Sequence, residues 1–346
     1  MSIGTTIKYV ANKAGVSITT VSHVVNKTRF VSKDLCDRVF AAMEELNYHP
    51  NTLARSLRMG ETKTIGLIIP DNSNPFFAEL ARIIEDIGFE NGYSVILCNS
   101  DNIHEKEFAY INMLIAKQID GVIFIAAVSS PEHLIELIKR NIPVVVIDRN
   151  ISHAAVDVVL VDNEKGGFDA VNYLLGLGHT KIACITGHSK LTPSIGRVKG
   201  YRKALKQAGI PIRENFIISG DFRSLSGETA TVQLLRLPEP PTAIFACNDL
   251  MALGALRALR NAGMNVPQEI SVIGFDDIEL ADEIVPPLTT VAQPITDLAT
   301  SSVEILISRI QESKPRSESQ RKVLNPWLVI RESCGHVNEN IELVKK

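Results

Sequence analysis

Seven runs of aliphatic residues, each followed by a stretch long enough for a helix, occupy most of the chain after residue 63. They read TIGLIIP (64–70), SVILCNS (94–100), GVIFIA (121–126), PVVVIDR (143–149), KIACITG (181–187), TAIFACND (242–249) and SVIGFDD (271–277). A strand with one wet face alternates apolar and polar residues; these runs do not. Near-continuous apolar strands spaced by helical stretches are buried on both faces, which is the habit of parallel sheets covered by helices. Four runs precede Val161 and three follow it, so the pattern predicts two doubly wound α/β units in tandem. A chain of 346 residues is long enough for two or three folding units, each with its own core.

The first 60 residues follow a different period. Ile7, Val10, Ala11 and Ala14 recur at helical spacing, and Gly15 ends that helix where a residue without Cβ is favoured. A second helix starts with Ser17 as N-cap and collects Val21, Val24 and Val25 on one side. Ile18, Thr19, Ser22, His23 and Asn26 fall on the other. A third helix opens at Ser32 and is expected to bury Leu35, Val39, Phe40, Met43 and Leu46, with Asp34 in the first turn where the helix dipole favours an acid. Two short helices around a tight turn, braced by a third, form a helix-turn-helix.

Charge separates this head from the rest. Residues 1–60 carry eight Lys or Arg against four Asp or Glu, whereas the whole chain has a net charge of -3. A basic head on an acidic body is the asymmetry of a chain in which only the head meets a polyanion. A helix fits the DNA major groove, so Thr19 and His23 are expected to reach base edges, with Ser22 and Asn26 holding the backbone. Five cysteines, without CxxC spacing, point to reduced thiols and argue against zinc. No run is apolar and long enough for a membrane span and no signal peptide is recognisable, so a cytoplasmic protein is expected, on the nucleoid when bound to DNA.

Ligands of doubly wound sheets sit outside the carboxyl ends of the strands. Those ends supply Asn74, Phe76 and Phe77; Asp148 and Arg149; Arg197; Asn248 and Asp249; Asp276 and Asp277; and Gln293, with Phe222 in the GDF loop. Carboxylate and guanidinium groups each hold two neighbouring hydroxyls and aromatic rings cover C–H faces, so the set suits a neutral sugar. GxGxxG and GxxxxGK phosphate loops are absent, as are a nucleophile–base pair and a metal-ligand spacing. An enzyme is disfavoured, and no cofactor is expected. A free transport protein is opposed by the basic head.

The stretch TIKYVANKAGVSITTVSHVVNKTRF, with the hinge-like NTLARSLR at 51–58, resembles the opening of bacterial repressors of the LacI/GalR family, and the likeness runs through the chain. The resemblance implies an all-α helix-turn-helix head (1–49), a hinge helix and linker (50–62) and a two-lobed periplasmic-binding-protein-like core (63–337). It places the first lobe at about 63–162 plus 293–325, the second at about 163–292 plus 326–337, and a tail at 338–346. It also implies that Ile18, Thr19 and His23 choose operator bases, with Ser17, Ser22, Asn26 and Arg29 contributing to the DNA contact. Leu57, beside Arg58, would wedge into the minor groove, a step that costs a few kcal/mol and bends the duplex. Asn74, Phe76, Phe77, Asp148, Arg149, Arg197, Phe222, Asn248, Asp276 and Gln293 match the residues with which periplasmic ribose-binding proteins hold ribose. GHTKIACITG and VIGFDDIELA are similar to the ribose-operon branch, so D-ribose is the implied effector. The purine-responsive branch carries an aromatic residue in place of Arg149 and an arginine in place of Leu191; catabolite-control regulators, which use a phosphocarrier protein, are a further alternative, as are other pentoses or hexoses. A single half-site reader binds weakly, so a homodimer on a palindromic operator is implied. The tail lacks the leucine heptads of tetrameric relatives.

Overall fold

The computed structural model describes residues 6–26, 29–48, 61–125, 134–151, 156–312 and 318–337. Leu57 and Arg58 lie outside the described residues. The described chain divides into a head, ending at Thr62, and a core from Lys63 onward.

Among its described residues the head holds three helices: α1 (Ile7–Ala14), α2 (Ile18–Asn26) and α3 (Lys33–Glu45). Gly15 stops α1 with φ 64°, and the Val16 amide turns back to the Ala11 carbonyl at 3.0 Å. A side chain there would carry the steric penalty of the left-handed region. Ser17 caps α2, its Oγ accepting from the Thr20 amide at 3.0 Å. Arg38 of α3 donates to the Ala14 carbonyl at 2.6 Å and the Gly15 carbonyl at 3.3 Å, so a residue that the charge pattern counts toward DNA also braces the turn. Val10, Ala11, Val21, Val24, Val39 and Ala42 form the small core. Phe40 departs from the expected burial: it is 50% exposed. The apolar stripe of α3 is wider than the groove two short helices offer, and Ala42 takes the inner place instead.

The core begins with β1 (Thr64–Ile69), α4 (Pro75–Glu90), β2 (Ser94–Asn99), α5 (His104–Ala116), β3 (Gly121–Phe124), α6 (Ile135–Lys139), β4 (Val144–Ile147) and β5 (Asp157–Val161). It continues with α7 (Asn163–Gly176), β6 (Ile182–Thr186), α8 (Thr192–Gln207), β7 (Ile217–Ser219), α9 (Ser224–Leu235), β8 (Ala243–Ala246), α10 (Asp249–Asn261) and β9 (Ser271–Asp276). The remainder is α11 (Leu280–Glu283), β10 (Thr289–Ala292), α12 (Ile295–Gln311), β11 (Arg321–Leu324) and β12 (Trp327–Val329). Among the described residues two six-stranded sheets result, ordered β11-β5-β4-β3-β1-β2 and β12-β10-β9-β8-β6-β7. Every pairing is parallel except β10 with β12. Every residue of β4 and of β8 is buried, and each such Val, Ile or Phe contributes roughly 1.5–3 kcal/mol.

The chain crosses between sheets three times: after β5, after β10, and between β11 and β12. Helix α12 packs against α4 and against β3, β4 and β5, returning the chain to the first lobe. A buried ion pair fixes that return. Arg309 of α12 grips Asp157 of β5 with two bonds of 2.9 and 2.8 Å, and the Gln320 amide donates to the same carboxylate at 2.7 Å. The strands that meet these crossings, β5 and β11 in one sheet and β10 and β12 in the other, stand at or next to one edge of each sheet, with β2 and β7 at the opposite edges.

Candidate functional site

On the head, the α2 face opposite the valines carries Ile18, 46% exposed, and Thr19, also exposed. Ser22, His23 and Asn26 are half-buried, while Arg29 is exposed just beyond the helix. Asn26 folds back, its Nδ2 donating to the Ser22 carbonyl at 2.8 Å and to Ser22 Oγ at 3.2 Å. Asn26 Oδ1 is buried with no hydrogen-bond partner among the described residues. Ser17 spends its hydroxyl on the cap and on Thr20 Oγ1 at 2.9 Å. Ile18 and Thr19 therefore present the most accessible side chains of this face.

In the core, parallel strands deliver their carboxyl ends to the cleft between lobes, where a cavity of about 260 Å³ opens. Ten of the twelve residues named at the strand ends and in the GDF loop line it; Asp249 and Asp277 do not. From the first lobe, Asn74 caps α4 by accepting from the Phe76 amide at 3.1 Å, and the rings of Phe76 and Phe77 meet edge to face at 5.2 Å. Asp148 follows β4 with φ 62° and its carboxylate pairs with the neighbouring Arg149 guanidinium; both are buried.

The second lobe contributes Arg197, Phe222, Asn248 and Asp276, with Gln293 at the second crossing. Arg197 rises from α8, stacks on the Phe275 ring at 3.6 Å, and donates through Nε to Asn163 Oδ1 at 2.8 Å. Its Nη1 reaches the Cys247 carbonyl and Asp276 Oδ1, the latter at 3.4 Å. Gln293 Nε2 donates to the same Asp276 oxygen at 2.7 Å. Burial pushes the Asp276 carboxyl up to about 7, against the opposing pull of Arg197 and Gln293. Asn248 caps α10 through Met251 and donates to the Phe222 carbonyl at 3.0 Å, fixing the loop that carries the Phe222 ring. Gly187 admits that ring: a Cβ there would lie 2.0 Å from it.

Two lining residues hold an unmet acceptor. Asp148 Oδ1 and Gln293 Oε1 are buried without a hydrogen-bond partner among the described residues. Each such deficit costs about 1–3 kcal/mol, and a ligand rich in O–H or N–H donors removes it. Once Asp276 is ionised the buried charges that line the cavity balance, Asp148 and Asp276 against Arg149 and Arg197, which favours a neutral ligand. The volume falls below the ~300–1,000 Å³ of sites for drug-sized molecules, so the ligand is small.

Beyond the ten, Asp71, Asp101, His188, Asp221 and Arg223 also line the cavity. The strand-end rule extends to them, since they follow β1, β2, β6 and β7, but β7 is only three residues long and carried no signal of its own. Beneath the floor, Asp249 is fully buried and accepts from Thr290 Oγ1 at 2.5 Å and from the Ile278 amide at 3.0 Å. Burial, and then Asp276, hold its carboxyl well above the usual range. Asp277 turns away to Arg331 at 2.8 Å.

Two family models match the chain: bacterial regulatory proteins, lacI family, over residues 6–51, and a periplasmic binding protein-like domain over residues 171–334. The HTH-type transcriptional repressor PurR of Photobacterium profundum is 41% identical over 337 residues, covering 96% of this chain and 99% of its own. The ribose operon repressor of Escherichia coli strain K12 is 43% identical over 331 residues, 95% of this chain and 99% of its own. A LacI family transcriptional regulator from Enterococcus faecium, solved with bound ribose, superposes with a TM-score of 0.73 at 35% identity, over 80% of this chain and 100% of that one.

Proposed function

The chain belongs to the LacI family of bacterial regulatory proteins, and on that premise we propose that it represses a sugar-utilisation operon under the control of D-ribose bound between its core lobes. It is a transcriptional repressor with a sugar-binding effector domain, and not an enzyme. The observation that carries the effector reading is the balanced pair of buried carboxylates and guanidiniums, with two orphaned acceptors, in a cavity sized for a monosaccharide. Vicinal hydroxyls of a pentose donate to Asp148 and Gln293 while Arg149 and Arg197 donate to its oxygens, and Phe222 covers its apolar face. The ribose-bound regulator of Enterococcus faecium supports the same choice.

Purine is the second reading, because of the 41% identity to PurR. Against it stand the buried Leu191 and Arg149, which occupy the places where the purine-responsive branch carries an arginine and an aromatic ring. On the DNA side, Ile18, Thr19 and His23 are the residues proposed to read bases, with Ser17, Ser22, Asn26 and Arg29 against the backbone and Leu57 and Arg58 in the minor groove. Exposed apolar side chains on the first lobe (Phe89, Leu97, Ile103) and the second (Leu225, Val285) favour a homodimer on a palindromic operator. Ribose closes the cleft of each protomer, and closure lowers the dimer's affinity for operator DNA.

Calorimetry against ribose, other pentoses, hexoses and purine bases tests the effector. Ribose binding with heat and purines without it supports the assignment; tight binding of a purine alone overturns it.

A further inference from the structure

Arg223 lies outside the ten residues and touches the other lobe. It sits in the loop between β7 and α9, and its Nη2 reaches Asp71 Oδ2, after β1, at 3.2 Å. The two ends are prepared differently. Asp71 is held in place: its Oδ1 accepts from the Ser73 amide at 3.0 Å and from Ser73 Oγ at 2.5 Å, which leaves Oδ2 for the cleft. A second first-lobe acid, Asp101, is near enough for Arg223 to help lower its carboxyl, after Lys106 and Asn99. The Arg223 backbone is anchored too, its amide donating to Asp221 Oδ1 at 2.9 Å and its carbonyl accepting from Ser226 Oγ at 2.8 Å.

We propose that Arg223 is a latch, holding the cleft closed across its mouth by pairing with the Asp71 carboxylate of the opposite lobe. The crossings leave from β5, β10 and β11, at or next to one edge of each sheet, whereas Arg223 follows β7 and Asp71 follows β1, at or next to the opposite edge, so the contact stands several strands from the crossings and has leverage over opening. Arg223 directly follows Phe222, whose positive φ of 69° turns its ring toward the cavity. A ligand that seats against the ring settles the loop that aims the arginine, and closure and ligand contact become one event. Arg223 stays 63% exposed, so the pair is screened and its strength is that of a surface ion pair. Such a pair contributes little to folding, yet a two-state hinge needs only a small bias: the closed-to-open ratio changes about 1.5- to 5-fold. The latch rests on the cleft being the effector site, not on which effector fills it.

Double electron–electron resonance between one spin label on each lobe of the full chain, without ligand, reads the two populations. Arg223→Gln and Asp71→Asn are each expected to lower the closed-to-open ratio about 1.5- to 5-fold at low salt, and the double variant no further. Exchanging the charges (Arg223→Asp with Asp71→Arg) restores part of the ratio, and 1 M salt erases the differences among all variants. Unchanged populations in both single variants, or additive losses in the double, overturn the latch. Ribose added to the wild type is read separately: a failure to shift its populations counts against ribose as effector and leaves the latch comparison intact.

Discussion

Replacing Asp276 by Asn should make the ligand-free core more stable while destroying its ability to bind the effector. The ordinary carboxyl value is 3.8, and burial raises Asp276 to about 7. Between those values the folded state carries a proton that the unfolded chain has already released, so stability falls as pH rises through that window. At pH 8 the ionised group withholds roughly 4 kcal/mol, at about 1.36 kcal/mol for each pH unit. Asn imitates the protonated acid. Both recorded bonds to Asp276, from Gln293 and Arg197, end on Oδ1, so the amide oxygen keeps them. The variant should therefore gain about 2–4 kcal/mol over wild type at pH 8, and the gain should shrink toward pH 4. Urea unfolding of the core followed at pH 4, 5, 6, 7 and 8 gives the difference directly, and calorimetry with ribose gives the lost affinity. A variant less stable than wild type at pH 8, or a difference that ignores pH, refutes the claim that ionising the buried Asp276 costs the fold stability.

Arg309→Ala leaves the Asp157 carboxylate buried without its cation and should destabilise the core by about 3–5 kcal/mol, whereas Arg309→Met with Asp157→Leu should recover most of that in the urea midpoint. His179 bonds Thr242 Oγ1, Ser271 Oγ and the Gly335 carbonyl, each at 3.0 Å, and burial lowers its pKa below 6.5. The unfolded chain then takes up the proton first, so stability present above pH 6.5 declines as pH falls below it, and His179→Gln should flatten that decline in thermal melts. Thr19→Ala should cost about 1–3 kcal/mol in operator binding, read by fluorescence anisotropy, with ribose affinity unaltered. Ser17→Ala removes the α2 cap and should cost the isolated transition of the head about 1 kcal/mol by circular dichroism.

The sheets were legible because buried parallel strands announce themselves: VVVI (144–147) and AIFA (243–246) have no polar position to confuse the reading. β11 and β12 were not, since three of the four β11 residues, Arg321–Val323, are exposed and β12 is a three-residue edge strand. Phe40 shows the complementary limit, because helical spacing reports a stripe but not the width of the groove that receives it. At the cleft, the strand-end rule named eleven residues and the GDF loop a twelfth, and ten of these meet in one cavity from seven separate segments. What it could not supply was the second partner of each contact. That Asn163 orients Arg197, that Gly187 clears room for Phe222 and that Asp71 meets Arg223 depend on loops facing each other across lobes, a relation with no local period.

Operator titration of the full chain, with and without saturating ribose, bears most directly on the account, since it joins the cleft to the head. Coupling of about 1–3 kcal/mol predicts that ribose weakens operator binding roughly 5- to 150-fold, with Arg197→Ala binding operator normally but ignoring the sugar. Equal operator affinity at zero and saturating ribose, with ribose shown to be bound, would contradict it.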